Sequence, residues 1–385
     1  MKEMKQYTIA DVCSRLSSGK GIPASKVTPI GPYPVIGGNG VRGYTDSFNF
    51  DGECAIIGRQ GANCGNVRYF QGKAYMTEHA IVAIGNENAN TKYLACLFSL
   101  MHLGNLSAQS AQPGLSVQTL SKQIVYLPEI NTQNQIADII KSLDAKIEIN
   151  KQINDNLEQQ ARALYKSWFV DFEPFKDGEF VESEIGEIPT GWTVVKFGDL
   201  TEIPKKTLNP QRFPDTIFKH YSLPACDNGL IPETQTGKDI MSNKIILQNN
   251  TTLFSKLNPR IKRIWFTCEV QANSICSTEF IPYRAKNETE SGYIFSIINS
   301  AAFYASVMGC VNGATGSHQR FHAEDTEDFL CAYNKEVVNE FSQHIDAILK
   351  QMHDLREENV KLALMRDTLM PKLMSGELII NEIDC

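Results

Sequence analysis

The sequence predicts an α+β protein: two globular domains of β-rich mixed structure separated by two long helices. Three observations predict it. Two acidic stretches carry a sustained apolar spacing of three and four, the segments outside them are short β-forming runs broken by Gly, Asn and Pro, and the whole plan occurs twice.

In the first acidic stretch, Ile136, Ile140, Leu143, Ile147, Leu157, Ala161, Leu164 and Trp168 share one helical track, which also carries Asn150 and Asn154. Thr132 and Gln135 have the spacing of a capping box, so the helix is expected to start just after Pro128. In the second stretch Ile345, Ile348, Met352, Leu355, Asn359, Leu362, Arg366 and Leu369 follow the same rule, and Pro371 is expected to stop the helix. Each helix runs about 35 residues, on the order of 50 Å, too long to stand without a partner. The nearest partner is the other helix. The seam alone leaves parallel and antiparallel pairing open. Its polar members either set the register or are tolerated where the helices splay.

The globular blocks read differently. "ECAIIG", "HAIVAIG", "KIILQNNTTLF" and "RIWFTCEV" have strand character, and "GGNG" and "CDNG" mark turns. One block opens with "YTIADV" and the other with "WTVVKFGDL", and each ends in a small-residue loop followed by a long helix. The offset between matching points grows by about 20 residues, as expected for a duplication whose globular halves diverged more than its helices. The expected domains are 1–130, 131–186 (first helix and linker), 187–333 and 334–385 (second helix and tail).

A chain of 385 residues can bury two modest cores. No apolar run is long enough to predict a membrane span and the N-terminal stretch lacks a secretory pattern, so a cytoplasmic location is expected. The ten cysteines form no close pair, which favours buried free thiols over a zinc site. The net charge of −7 resides in the helical blocks: residues 131–189 hold 6 Lys+Arg against 12 Asp+Glu and residues 334–385 hold 6 against 10, while residues 1–130 hold 11 against 8 and residues 190–333 hold 14 against 14. Both globular blocks can therefore present a locally basic surface to an anionic partner.

No phosphate-binding loop, dinucleotide fingerprint, zinc-protease motif or nucleophile elbow occurs, and pairs such as Glu78–His79 and Glu324–Asp325 read as surface or loop-capping groups. The chemistry present is that of binding. Arg reads guanine, Gln and Asn read adenine, and Lys or glycine-flanked backbone N–H groups hold phosphates. In the first block the candidates are Arg42, Arg59, Gln60, Asn63, Arg68 and Gln112. In the second they are Lys256, Arg260, Lys262, Arg263, Gln319 and Arg320, with Arg320 expected to face phosphate and His318 to be structural. The basic run at 256–263 also fits an ordinary solvated strand edge, and the glycines of 58–65 fit simple bends. Two heads on a rod suit a long repetitive ligand such as DNA. The same plan also fits a scaffold that presents two heads to proteins.

The segments "PYPVIGGNGVRGY", "GRQGANCGNV", "AQPGLSV", "LYKSWFVDF", "GSHQR" and "LMRDTLMPKLMSGEL" together resemble the specificity subunit of type I restriction-modification systems, over nearly the whole chain. The resemblance implies two target recognition domains, each reading half of a bipartite asymmetric DNA site. It implies that helices at 132–169 and 335–370 pack as an antiparallel coiled coil that sets the unread gap. It implies a chain that is not catalytic by itself and binds no cofactor. Two modification subunits would carry adenine-N6 methyltransferase chemistry with S-adenosylmethionine, and restriction subunits would add ATP- and Mg2+-dependent translocation and cleavage. Trp168, Phe169 and Phe172, where the first helix ends, are the expected docking candidates for a partner subunit or a domain.

Overall fold

The computed structural model describes residues 4–107, 114–311 and 319–378. The chain divides into two compact units, residues 1–147 with 361–385, and residues 148–360. Helices of nine or more residues are labelled α1 (Thr91–Leu100), α2 (Ile130–Phe169), α3 (Ser291–Asn299), α4 (Ala301–Cys310) and α5 (Lys335–Ser375).

In the first unit a six-stranded sheet runs in the order Cys13–Ser18, Ala80–Gly85, Phe50–Gly58, Val67–Met76, Tyr33–Gly37, Gly40–Thr45. Its pairs are antiparallel except that Tyr33–Gly37 runs parallel to Val67–Met76. Alternation along Phe50–Gly58 sends Ala55 and Ile57 to one core, which includes Tyr93, Leu94 and Phe98 of α1, and Cys54 and Ile56 to a second, smaller core. A separate ribbon joins Lys5–Thr8 to Ile124–Leu127, the strand that leads into α2.

The second unit repeats that entry. Thr193–Lys196 pairs with Leu330–Tyr333, the strand that leads into α5. The rest has diverged into a five-stranded sheet and a four-stranded sheet, the latter backed by α3 and α4. The strands expected at "ECAIIG", "HAIVAIG" and "RIWFTCEV" are present, and "KIILQNNTTLF" is two strands, Lys244–Ile246 and Thr251–Ser255.

The helix seam forms antiparallel in each unit. In the first, Asp144 of α2 pairs with Arg366 of α5 at 2.9 Å, and Ile136 and Ile140 share a core with Leu373 and Met374. In the second, Asn150 donates to Glu358 Oε2 (2.7 Å) and Asn359 Oδ1 (2.9 Å), while Leu157, Ala161 and Tyr165 pack with Ile345, Leu349 and Met352. Leu143, Ile147, Leu164, Ile348, Leu355, Leu362 and Leu369 are half-buried along the same track. Each fully buried Leu or Ile contributes about 1.5–3 kcal/mol relative to an exposed one, so this stripe dominates helix stability over propensity.

Two expectations about the helix ends are corrected. Helix α2 begins at Ile130, two residues before Thr132, whose hydroxyl and N–H turn back to Glu129 instead of capping Gln135. Its start is held by Gln133, fully buried, which accepts from the Asn90 N–H and donates to the carbonyls of Asn88 and Pro128. Helix α5 continues through Pro371 to Ser375. Burial of Leu373 and Met374 in the first unit's core outweighs the hydrogen bond that proline removes.

A charged node ties the first head to both helices. Asp144 accepts from Lys92 of α1 at 2.5 Å and from Arg366 at 2.9 Å, with the Lys92 side chain only 8% exposed and its ammonium 4.7 Å from the Tyr69 ring centroid. Burial would raise the Asp144 pKa, but the hydrogen bonds and charges of Lys92 and Arg366 outweigh it and hold the carboxyl below its usual value. Asp144→Ala strands a buried ammonium. Because Asp144 keeps part of its side chain in water, the expected loss is about 1–3 kcal/mol at neutral pH, below that for a fully buried pair. A depressed acid stabilises above its unfolded pKa and ceases to do so as pH falls through its folded value. The gap between wild type and variant in urea unfolding therefore narrows as pH drops below the ordinary carboxylate range.

Candidate functional site

The first unit brings most of its candidates into one place. The tight turn 37–40, the loop 58–66 and the turn at 77–79 converge, with the Arg59 N–H donating to the His79 carbonyl (3.0 Å) and Gly58 against both Gly38 and Asn63. A Cβ on Gly38 would stand 2.9 Å from the His79 carbonyl and one on Gly58 2.3 Å from the Asn63 carbonyl, so only glycine lets these backbones meet. Around this platform stand the cations. Arg68 donates from Nη1 to the Asn39 carbonyl (2.9 Å) and lies over Gly40, Arg42 flanks Gly37, and Arg59 reaches the Glu78 carbonyl at 3.4 Å. Gln60 meets His79 Nδ1 at 3.1 Å, His79 also pairs with Glu78, and Asn63 accepts from Asn66. Gln112 lies outside the described residues.

His79 is the member that sequence reasoning set aside: it was read as a loop group, and only the fold carries it to Gln60. Lys73, 4.8 Å from the Phe48 ring centroid, and Tyr33, whose ring is tilted against Phe48 at 4.9 Å, were also missed, because residues 33, 48 and 73 are far apart in sequence.

The second unit splits its candidates. Lys256, Gln319 and Arg320 come together: the Lys256 N–H donates to the Glu279 carbonyl, Leu257 bridges to Arg320, the Asn258 N–H donates to the Gln319 carbonyl, and Arg320 Nη2 pairs with Glu279 at 3.1 Å. Gln319 Oε1 and Glu279 Oε2 are buried acceptors with no hydrogen-bond partner among the described residues. Arg260 is exposed nearby in sequence, with its carbonyl accepting from Tyr304. His318 lies outside the described residues.

Lys262 and Arg263 need correction as surface readers, because adjacent residues of an extended segment point opposite ways. Arg263 forms a two-pronged pair with Asp227 (2.6 and 2.9 Å). Lys262 turns inward to the Asn299 carbonyl (2.7 Å) and the Tyr304 ring, and burial, helped by the nearby Arg162 charge, pushes its pKa down to about 8.

Of the two partners expected for the docking candidates, a domain or a partner subunit, the structure supplies the domain. Phe169 and Phe172 are buried in the second unit's own core, with ring centroids 4.6 Å (Phe169–Tyr293), 4.9 Å (Phe169–Phe341) and 5.4 Å (Phe172–Trp192) apart. Trp168 is half-buried against Phe341 and His344. An amphipathic helix end carries no mark in its sequence that distinguishes its own domain from a partner.

No group of three or more His, Cys, Asp or Glu among the described residues is placed to hold a metal. The nine described cysteines are unpaired, and burial raises the thiols of Cys13, Cys54, Cys226, Cys268, Cys276 and Cys331 to about 12, which makes them poor nucleophiles. Asp325 caps the short helix Ala323–Thr326, a structural use of that acidic pair. Among the described residues no single helix is long and apolar enough to cross a membrane.

Gly40 has φ +102° and Arg68 Nη1 lies 2.0 Å from where its Cβ would be, whereas Gly52 has φ +131° and nothing within 4 Å. Gly40→Ala is expected to cost about 1–2 kcal/mol through backbone strain and to dislodge Arg68 from the Asn39 carbonyl. Gly52→Ala incurs the strain alone. Comparing the two by thermal melting and by the Arg68 side-chain NMR signals separates the effects: only Gly40→Ala should move Arg68.

Residues 1–159 match the type I restriction modification DNA specificity domain. The chain is 42% identical over 112 residues to the EcoprrI specificity subunit of Escherichia coli, covering 29% of this chain and 28% of that protein. It is 25% identical over 317 residues to the MjaIX specificity subunit of Methanocaldococcus jannaschii, covering 78% of this chain and 72% of the relative. Its fold is similar to that of the S subunit of a type I system from M. genitalium, with TM-score 0.59, 15% identity and coverage of 97% and 96%. The first unit's platform falls wholly inside the matched stretch, and over 78% of its length the chain is similar to a type I restriction-modification specificity subunit.

Proposed function

We propose that the chain is the DNA address of a type I restriction-modification complex. Each globular block, 1–130 and 187–333, reads one half of a bipartite asymmetric site, and the segments 131–186 and 334–385 hold the unread gap. The observation that carries this reading is the glycine-lined platform bearing Arg42, Arg59 and Arg68, which lies within the stretch matching the DNA specificity domain. Closely approached backbones with guanidinium groups at the rim suit phosphate contact and guanine reading together. In the second block Lys256, Gln319 and Arg320 are the corresponding group, with Arg320 facing phosphate once it exchanges Glu279 for DNA.

The chain supplies binding and position and no reaction of its own. Two modification subunits using S-adenosylmethionine would act on an adenine flipped from the duplex, and restriction subunits would use ATP and Mg2+. The assembly would work in the cytoplasm. The alternative, a non-DNA protein-interaction scaffold with two heads on a helical rod, predicts no salt-dependent affinity for DNA and has no comparable support.

Co-expression with the modification subunit encoded beside it, followed by single-molecule mapping of N6-methyladenine across the host genome, tests the proposal. A bipartite motif with a constant gap, lost when this chain is omitted, is the expected result. Methylation that is indifferent to the chain would overturn it. Within the assembled complex, Arg68→Ala is expected to lower the slope of log affinity against log salt by about one if Arg68 meets phosphate. If Arg68 reads a base, the slope stays and discrimination at one position relaxes.

A further inference from the structure

Beside the C-terminal half of α2 the second unit holds a cavity of about 520 Å3, walled by Ala161 and Tyr165 of α2, by Val170 just past its end, and by Phe295 and Ala302 of α3 and α4. Its walls are mainly apolar, and Val170 at its edge is 54% exposed. The polar corner is cationic. Lys262 lines it, held by the Asn299 carbonyl, and forms no ion pair among the described residues. Arg162 and Lys166 also line it, but their charges are met by Glu158 and Asp171 outside. Three cations and two carboxylates leave one positive charge unmatched beside an apolar hollow.

The start of α4 adds to it. Ser300 caps that ten-residue helix by accepting from the Phe303 N–H at 3.2 Å, while Ala301 and Ala302 line the cavity from the first turn, where N–H groups have no intrahelical acceptor. Lys262 and the helix start thus favour an anion at one end, and the aromatic and aliphatic walls favour a bulky apolar group at the other.

We infer that this cavity is a socket for a partner polypeptide, which inserts a bulky apolar side chain with a carboxylate beside it, and that the partner is the modification subunit. The inference rests on the function proposed above and gives it a location. The aromatic side chains of "KSWFVDF" are spent on the core of the second unit, whereas Lys166 and Val170 of the same run face the socket. A concave apolar site with a single unmatched charge has the form of an interface anchor, in which one inserted group dominates affinity.

The test uses the full chain co-expressed with the modification subunit. Lys262→Glu reverses the unmatched charge, Ala302→Trp fills the hollow, and Lys262→Arg is the conservative control. Each of the first two is expected to raise the dissociation constant of the assembly at least about tenfold, with Lys262→Arg close to wild type. The melting temperature of the free chain should stay within about 2 °C, which separates docking from folding. Assembly by Lys262→Glu and Ala302→Trp at wild-type affinity would overturn the socket while leaving the specificity role intact. A wild-type chain that does not assemble with the modification subunit at all would remove the functional reading and this occupant together.

Discussion

Two helices of 40 and 41 residues, each with a long apolar stripe interrupted by a few polar residues, cannot remain solvated along that stripe, and covering it is the constraint on which the rest of the structure depends. The antiparallel seam meets it in both units. Each globular block is attached to this seam in the same way, through a two-stranded ribbon whose second strand runs directly into a long helix. The attachment fixes where each sheet starts, and hence where its loops come to lie.

The two units secure their helices by different means. The first uses charge and polar latches: Lys92, Asp144 and Arg366 form one node, and Gln133 closes the α2 start. The second adds to the Asn150 contacts with Glu358 and Asn359 a cluster of rings, Tyr165, Phe169, Tyr293, Phe341 and Trp192. Aromatic packing is insensitive to salt and pH, whereas the node is tied to the ionisation of one carboxylate. The candidate reading groups differ in the same sense. Three arginines surround a close-packed glycine platform in the first unit, while Arg320 in the second is paired with Glu279.

Much of this was legible in the residues. The seam could be read because helical periodicity is a local property repeated over many turns, and the strands could be read from short β-branched runs between turn residues. The glycine-rich segments 37–40 and 58–65 announced a special backbone, though not that the two meet. Thr132 was misplaced as a cap because helix ends are decided by whichever neighbour offers a partner, here Gln133 to Asn88 and Asn90. Pro371 was misread as a stop because the force that carries the helix past it is burial of Leu373 and Met374 against residues distant in sequence.

By itself, the sequence determined the α+β class, the two long helices with their seam, the duplicated plan and the resemblance to type I specificity subunits, since each depends on local pattern or on motifs carried whole. Only the tertiary structure decided which cations remain available. Lys262 and Arg263 are neighbours of identical promise in the chain, yet one is drawn to a helix carbonyl and the other to Asp227. It also decided that Phe169 and Phe172 serve the fold while a cavity opens beside them. The physical reason is the same in each case: a side chain's partner is set by what the fold brings within a few ångströms, and those neighbours lie 20 to 172 residues away along the chain.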